Sequence, residues 1–263
     1  MDDLYTTVAW FGVLTNSESM YEYLRVGETW FSGMGRPLKS RVAVRQGKVF
    51  RRMKEPTADE LEALDDYEKV SYLKDRRGGF YYSDSLMISR QKCIAAVSLP
   101  TSVADLGSGE LETLLCSVQR CLQPRYGTGF RRALKYGPMS YVIGFGYCPI
   151  NEVADRLVHN EEKSSWKYAN DDRVFERGQL RGVYAWNLLN PSQLQAKIDG
   201  MSLRAWIARD PSRGKLASVS KGSDLEVWTV PDRSTRSLIE KDLCKADVVY
   251  HTEPCEKRTT LNW

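Results

Sequence analysis

The sequence predicts an α+β fold, with antiparallel or mixed sheets flanked by helices, on a plan compatible with two ferredoxin-like (split βαβ) halves. Three observations predict it. Runs rich in β-branched and aromatic residues recur, as in Thr6 to Leu14 and Cys93 to Leu99, and such runs suit a pleated, half-buried surface. Between them lie stretches with apolar residues at helical spacing behind a capping residue, as in Ser108 followed by Leu111, Leu114, Leu115, Val118 and Leu122. The second half, stripped to its main elements, reads strand, helix, strand, strand, helix, strand, which is the split βαβ order.

Taken in order, the strand at Thr6 is followed by a helix capped by Asn16 or Ser17 and carrying Met20, Tyr21 and Leu24 up to Gly33. Arg41 to Phe50 alternates in part and reads as an exposed strand. Thr57 with Glu60 three positions on forms a capping box for a polar helix. Gly78-Gly79 marks a turn before Phe80-Tyr81-Tyr82. Residues 124–138 hold Pro124, Gly127, Gly129, Gly137 and Pro138 and read as a joint. This divides the chain into an N-terminal half, 1–135, and a C-terminal half, 136–263, expected to pack as one compact unit. Tyr141 to Tyr147 then reads as a strand, and Asn151 as the cap of a helix. Val183 to Trp186 is a strand. Pro191 to Ile198 and Ser202 to Arg209 are helices, and Leu216 to Val219 forms a hairpin with Leu225 to Val230. A helix from Asp232 to Lys245 and a last strand, Val248 to Tyr250, close the chain.

Composition excludes several classes. A hydrophobic content of 42% with 27% charged residues is that of a globular protein. A net charge of +4 is only mildly basic for a nucleic-acid domain. No apolar run approaches a membrane span, and the acidic start, Met1-Asp2-Asp3, does not resemble a secretory signal. Six cysteines without a C-x-x-C spacing, in a chain with no such signal, are expected to be reduced in the cytoplasm. Cys93, Cys116 and Cys148 read as small core residues and Cys255 as an exposed thiol.

No catalytic constellation stands out, so an enzyme is not expected, and no catalytic, cofactor or metal residues are assigned. The two histidines, His159 and His251, are far apart, and no spacing supplies a metal set. Gly144-Phe145-Gly146 lacks the rest of a phosphate-loop motif and reads as a bulge. Two charge runs are opposite in sign. Glu55, Asp59, Glu60, Glu62, Asp65, Asp66 and Glu68 follow one another with no base between them. They form either a hydrated helix face or a surface for an electropositive partner, whose encounter they would speed. Arg120, Arg125, Arg131, Arg132 and Lys135, interleaved with Tyr126, Phe130 and Tyr136, form either a phosphate- and base-binding strip or a solvated connector. Trp166 and Tyr168 stand in polar surroundings and are either interface anchors or packing residues. Trp10, Trp30, Trp186, Trp206 and Trp228 lie in apolar contexts and are expected in the core.

Leu180 to Leu189, the Leu194 to Gly200 stretch and Leu225 to Pro231 resemble the C-terminal part of immunity proteins of type VI secretion and polymorphic toxin systems. Those proteins show a strand like Arg-Gly-Val-Tyr-Trp-Asn, a Leu-rich helix ending in Gly, and a strand closing in Pro. In this chain Ala185 interrupts the Tyr-Trp pair, and Asp199-Gly200 stands where a double glycine is common. The resemblance covers about a third of the chain. It implies a cytoplasmic α+β protein that binds a cognate bacterial toxin and occludes its active site, without cofactor, membrane or nucleic acid. The acidic run with Trp166 and Tyr168 would then form the toxin-binding surface. The alternative is a nucleic-acid-associated or other defence-system protein using residues 120–135.

Overall fold

The computed structural model describes residues 4–38, 40–45, 48–52, 69–73, 76–77, 81–82, 84–143, 166, 169–170, 172–219, 223–230 and 232–251. The chain forms two compact units, one of Met1–Pro124 with Arg131–Ile143, the other of Arg125–Phe130 with Gly144–Trp263. The mixed α+β class is the one the sequence predicted.

Unit 1 opens with β1 (Leu4–Phe11) and α1 (Ser17–Gly33). Asn16 starts the helix, its side chain accepting the Ser19 N–H at 2.8 Å. Then come β2 (Ser40–Arg45), β3 (Lys48–Arg52) and β4 (Lys69–Leu73), a two-stranded ribbon of β5 (Arg76–Arg77) and β6 (Tyr81–Tyr82), β7 (Ser85–Ser89) and β8 (Ile94–Pro100). Helix α2 (Gly109–Leu122) starts at Ser108, as predicted. The sheet order is β1-β8-β7-β4-β2-β3. Both β1 and β7 pair antiparallel with β8, so they run parallel to each other with β8 between them. That is a split βαβ unit, with α1 in the crossover and β2 to β4 extending the sheet beyond β7.

Val8, Trp10, Leu86, Ile88 and Val97 are buried. The Trp10 and Tyr23 rings meet edge to face at 6.3 Å, and the Tyr23 hydroxyl donates to the Ala96 carbonyl at 2.9 Å. Each such large apolar side chain contributes about 2 kcal/mol by leaving water. Where α1 crosses β7, Gly27 lies against the Leu86 side chain with no room for a β-carbon. At the start of β7, buried Asp84 accepts two hydrogen bonds from the Arg36 guanidinium.

Strand β9 (Tyr126–Ala133) gives its first residues to unit 2 and its last to unit 1. Helix α3 (Pro138–Ile143) ends unit 1 and packs on β1 and β8. Unit 2 continues with β10 (Trp186–Leu189), α4 (Pro191–Gln195), the short pair β11 (Lys197–Ile198) and β12 (Met201–Ser202), and α5 (Leu203–Ala208). Strands β13 (Lys215–Ser218) and β14 (Glu226–Thr229) form the predicted hairpin, and α6 (Arg233–Lys245) follows. The order is β13-β14-β10-β9. Strands β10 and β13 both pair antiparallel with β14, giving a second split βαβ unit with α4 and α5 in its crossover. Asp232 caps α6. Hydrogen bonds from the Ser234 hydroxyl and then the Thr235 N–H stabilise its carboxylate, whose pKa falls to about 2.

Several elements differ from expectation. The segment read as a joint is largely strand β9, buried along most of its length. Glycines 127 and 129 sit where β9 pairs with β10 and do not break the chain. Tyr141 to Ile143, read as the start of a strand, belongs to helix α3. Gly137 takes a left-handed φ of +57°, and Pro138 occupies the first helical position, where its missing N–H costs nothing. The expected last strand is reduced to a single parallel bridge between Val249 and Leu180. Trp30 is only partly buried, its indole N–H donating to the Glu110 carbonyl at 2.9 Å. The helices expected near Thr57 and Asn151, and Gly144-Phe145-Gly146, lie outside the described residues. No helix among the described residues is long and apolar enough to cross a membrane.

The cysteines divide. Cys93, Cys116 and Cys121 are free, and Cys116, expected in the core, is exposed. Burial, reinforced by the Glu22 charge, pushes the Cys121 thiol up to about 11. Cys244 is disulfide-bonded, which corrects the expectation of reduced thiols throughout. Cys148 and Cys255 lie outside the described residues.

Two outcomes follow. Gly214 has φ +99°, and a β-carbon there would run into the Thr229 carbonyl oxygen. Gly214→Ala should cost about 2 kcal/mol or more in urea unfolding, whereas Gly200→Ala, at φ +80° but with open space around it, should cost about 1 kcal/mol. Equal losses at the two sites would refute the close approach. Thiol titration of denatured, unreduced protein should find at most four of the six cysteines free; six would remove the disulfide.

Candidate functional site

The stretch from Gln179 to Gln193 is a chain of buried amides. The Asn187 side chain accepts the Tyr184 N–H at 3.0 Å and donates to the carbonyls of Tyr184 at 2.8 Å and Trp228 at 3.2 Å. Asn190 caps α4 in a reciprocal box with Gln193, each side chain bonding the other's backbone N–H at 3.0 Å. Its amide also donates to the carbonyls of Arg125 and Phe175, both at 3.0 Å. Gln193 donates to the Gln179 carbonyl at 2.9 Å. These side chains satisfy backbone groups where strands end and loops begin, which is a folding role.

Beside them stands an aromatic group. Tyr126 stacks on Phe175 and meets Trp166 at an angle, both at 6.0 Å. The Arg181 guanidinium lies 5.2 Å from the Trp166 ring centre. The Tyr126 hydroxyl accepts the Arg181 N–H at 3.1 Å. Burial, then the neighbouring Tyr184, drives its pKa far above the usual tyrosine range, so it stays protonated.

Most of the sequence-predicted partner-binding residues cannot be placed. Glu55, Asp59, Glu60, Glu62, Asp65, Asp66, Glu68 and Tyr168 lie outside the described residues. Trp166, read as either an interface anchor or a packing residue, is 2% exposed. Its polar sequence neighbours concealed that its ring fills the space beside Tyr126, so it is a packing residue.

The basic segment is dispersed. Arg120 and Arg125 are exposed. Arg131 binds Asp105 through two hydrogen bonds of 2.7 Å. Burial raises the Asp105 pKa, but Arg131, the Leu106 N–H and Thr6 outweigh it, and the net shift is downward. Arg132 is buried, donating to the Tyr136 carbonyl at 3.1 Å with its guanidinium 4.3 Å from the Tyr141 ring centre. Lys135 falls in the short 3-10 turn Leu134–Tyr136. Strand pleating explains the split, because neighbours 131 and 132 leave opposite faces of β9. These arginines therefore form no continuous phosphate-binding strip.

Sequence reasoning missed the outer edge of unit 2. Strand β13 ends that sheet, with Lys215, Ala217 and Ser218 exposed, and an outermost strand offers backbone groups for one more strand. The edge is firmly held. The Arg213 guanidinium lies 3.7 Å from the Trp206 ring centre and donates to the Trp206 carbonyl at 2.6 Å. The Trp228 indole N–H donates to the Arg213 carbonyl at 2.8 Å. On α6, Leu238 is 64% exposed. The only sequence signal for this edge was the hairpin itself. Among the described residues, no three His, Cys, Asp or Glu side chains stand together as a metal site.

The fold defines an α+β protein built on two split βαβ units. No family model matches the sequence, and no curated protein matches it. Among solved structures the chain is similar in fold to the Pseudomonas aeruginosa T6SS protein PA0821, with a TM-score of 0.52 and 15% identity over 95% of this chain and 73% of that one.

Asn187→Ala should leave the Tyr184 N–H and two carbonyls without partners in a dry site, at a cost of about 3 kcal/mol in chemical unfolding. A loss below 1 kcal/mol would mean that water replaces the amide.

Proposed function

We propose that this protein is an immunity protein that binds a cognate toxin of a type VI secretion system and neutralises it by occluding its active site. The observation that carries the reading is the fold likeness to a T6SS protein, which runs through 95% of the chain. The resemblance of Leu180 to Leu189 and Leu225 to Pro231 to immunity proteins supports it independently. Occlusion requires a rigid, complementary surface and no chemistry of its own. The acidic residues Glu55 to Glu68 supply charge complementarity for an electropositive toxin, and the β13 edge with Leu238 supplies a second contact surface. The reading of residues 120–135 as a nucleic-acid strip loses support, since Arg131 and Arg132 are engaged within unit 1. The Cys244 disulfide favours an oxidising compartment over the cytoplasm expected from the sequence.

The test is affinity purification of the tagged protein from its host, with mass spectrometry of what accompanies it. One stoichiometric partner, toxic when expressed alone and harmless when co-expressed, is the expected result. Recovery of nucleic acid alone, or of no partner, would overturn the reading. Reversing charge at Glu60, Glu62, Asp65 and Asp66 should slow association with that toxin at least about tenfold at low salt. An unchanged association rate would remove the acidic run from the interface.

A further inference from the structure

Strand β13 ends the unit 2 sheet, and no described strand lies beyond it. The ladder decides which of its backbone groups stay open. Val219 donates its N–H to the Leu225 carbonyl at 3.4 Å, and bonded pairs recur at every second residue of an antiparallel ladder. Along the register, Ala217↔Val227 and Lys215↔Thr229 are then bonded pairs, while Leu216↔Trp228 and Ser218↔Glu226 are not. Leu216 and Ser218 therefore turn their N–H and C=O groups away from β14, toward the open side. Each offers one donor and one acceptor to a further strand.

Bulges, prolines and charges commonly blunt such an edge. The β13–β14 register runs without a bulge, whereas β2–β3 shifts between Ala43 and Val44. Strand β13 holds no proline, Ala217 and Ser218 are small and exposed, and only Lys215, at one end, is charged. Its two faces differ. Lys215 and Ala217 share one with Thr229 and Val227, all at least partly exposed. Leu216 and Ser218 share the other with Glu226, which Arg204 on α5 meets at 2.6 Å, so α5 lies over that side. Arg204 is engaged by Glu226, and Arg213 by Asp210 and the Trp206 carbonyl. Exposed Lys215 is the charge beside the open groups, and Asp224 stands past the far end. Residues that pair across two strands share a face, so a strand accepted here should be apolar toward Leu216 and acidic toward Lys215.

We propose that β13 accepts an extended segment of the toxin as one more strand of the unit 2 sheet, with apolar residues beside Leu216 alternating with carboxylates beside Lys215. Backbone bonds to Leu216 and Ser218 supply the affinity, and the alternation supplies the selectivity. Gly214, pressed against the Thr229 carbonyl, and the Trp228 indole on the Arg213 carbonyl hold the strand in place beforehand, so little ordering is lost on binding. The identity of the occupant rests on the toxin-binding reading; the open edge does not.

The probes are two end-blocked hexapeptides, one alternating valine with glutamate and the other valine with lysine. Amide hydrogen exchange of the full chain is followed by NMR with each. In the free protein the Leu216 and Ser218 amides should exchange fast and that of Ala217 slowly. The glutamate peptide should slow the first two at least about fivefold, the equivalent of one hydrogen bond, and the lysine peptide should not. Ser218→Pro removes an outward donor and no ladder bond, and should weaken the glutamate peptide by a similar factor. If Ser218→Pro fails to fold, Lys215→Glu takes its place and should reverse the preference between the peptides. Affinity capture reads the toxin itself, which Ser218→Pro should release more readily than the wild type. Unslowed Leu216 and Ser218 amides, equal slowing by both peptides, or slowing that rises with protein concentration in the absence of peptide, the mark of a second copy, would overturn the site. So would a Ser218→Pro variant that holds the toxin as tightly as the wild type, and toxin binding would then stand without it. Slowing by the glutamate peptide in a protein that captures no toxin would support the strand site and overturn its occupant.

Discussion

The hydrogen bonds of Asn187 fix where unit 2's chain stops being loop and becomes sheet. Tyr184 is turned back by that amide, and the Trp228 carbonyl beyond it is held on β14. Without the amide, β10 has no defined start against either neighbour. Three residues later, Asn190 and Gln193 do the same for the transition from β10 to α4. A buried strand offers no water at its ends, so side chains must satisfy what the ladder leaves open. The segment that looked most distinctive is distinctive for that reason.

Unit 1 resolves an analogous problem with charge. Asp84 holds Arg36, and Asp105 holds Arg131 while also receiving bonds from Leu106 and Thr6. These pairs fasten a loop after α1 and a loop after β8 to the sheet. A carboxylate satisfied in this way is costly to lose, because its arginine partner is left without a counter-charge. The same demand consumes arginines that a sequence scan would assign to a binding strip.

The fold class was legible because strand and helix runs carry their own periodicity, and the hairpin of β13 and β14 fell where the alternation put it. Helix starts at Asn16 and Ser108 were legible from capping chemistry. Strand β9 was not, because Gly127 and Gly129 signal a turn unless a neighbouring strand is known to lie alongside. Helix α3 was not, because Tyr141, Val142 and Ile143 favour strands locally, and only Pro138 after a left-handed Gly137 decides otherwise. Among the site residues, the polar neighbours of Trp166 left its reading open between interface and core, and burial decides for the core.

Strand β9 gives Tyr126–Phe130 to one compact unit and begins the other unit's last segment at Arg131. The boundary between the units therefore falls inside a hydrogen-bonded element and not in a tether. A truncation before Tyr126 strips an edge partner from β10, and a truncation after Ala133 takes α3 from unit 1. Neither half can be lifted out intact by a single cut, and this binds the inheritance of the two halves together.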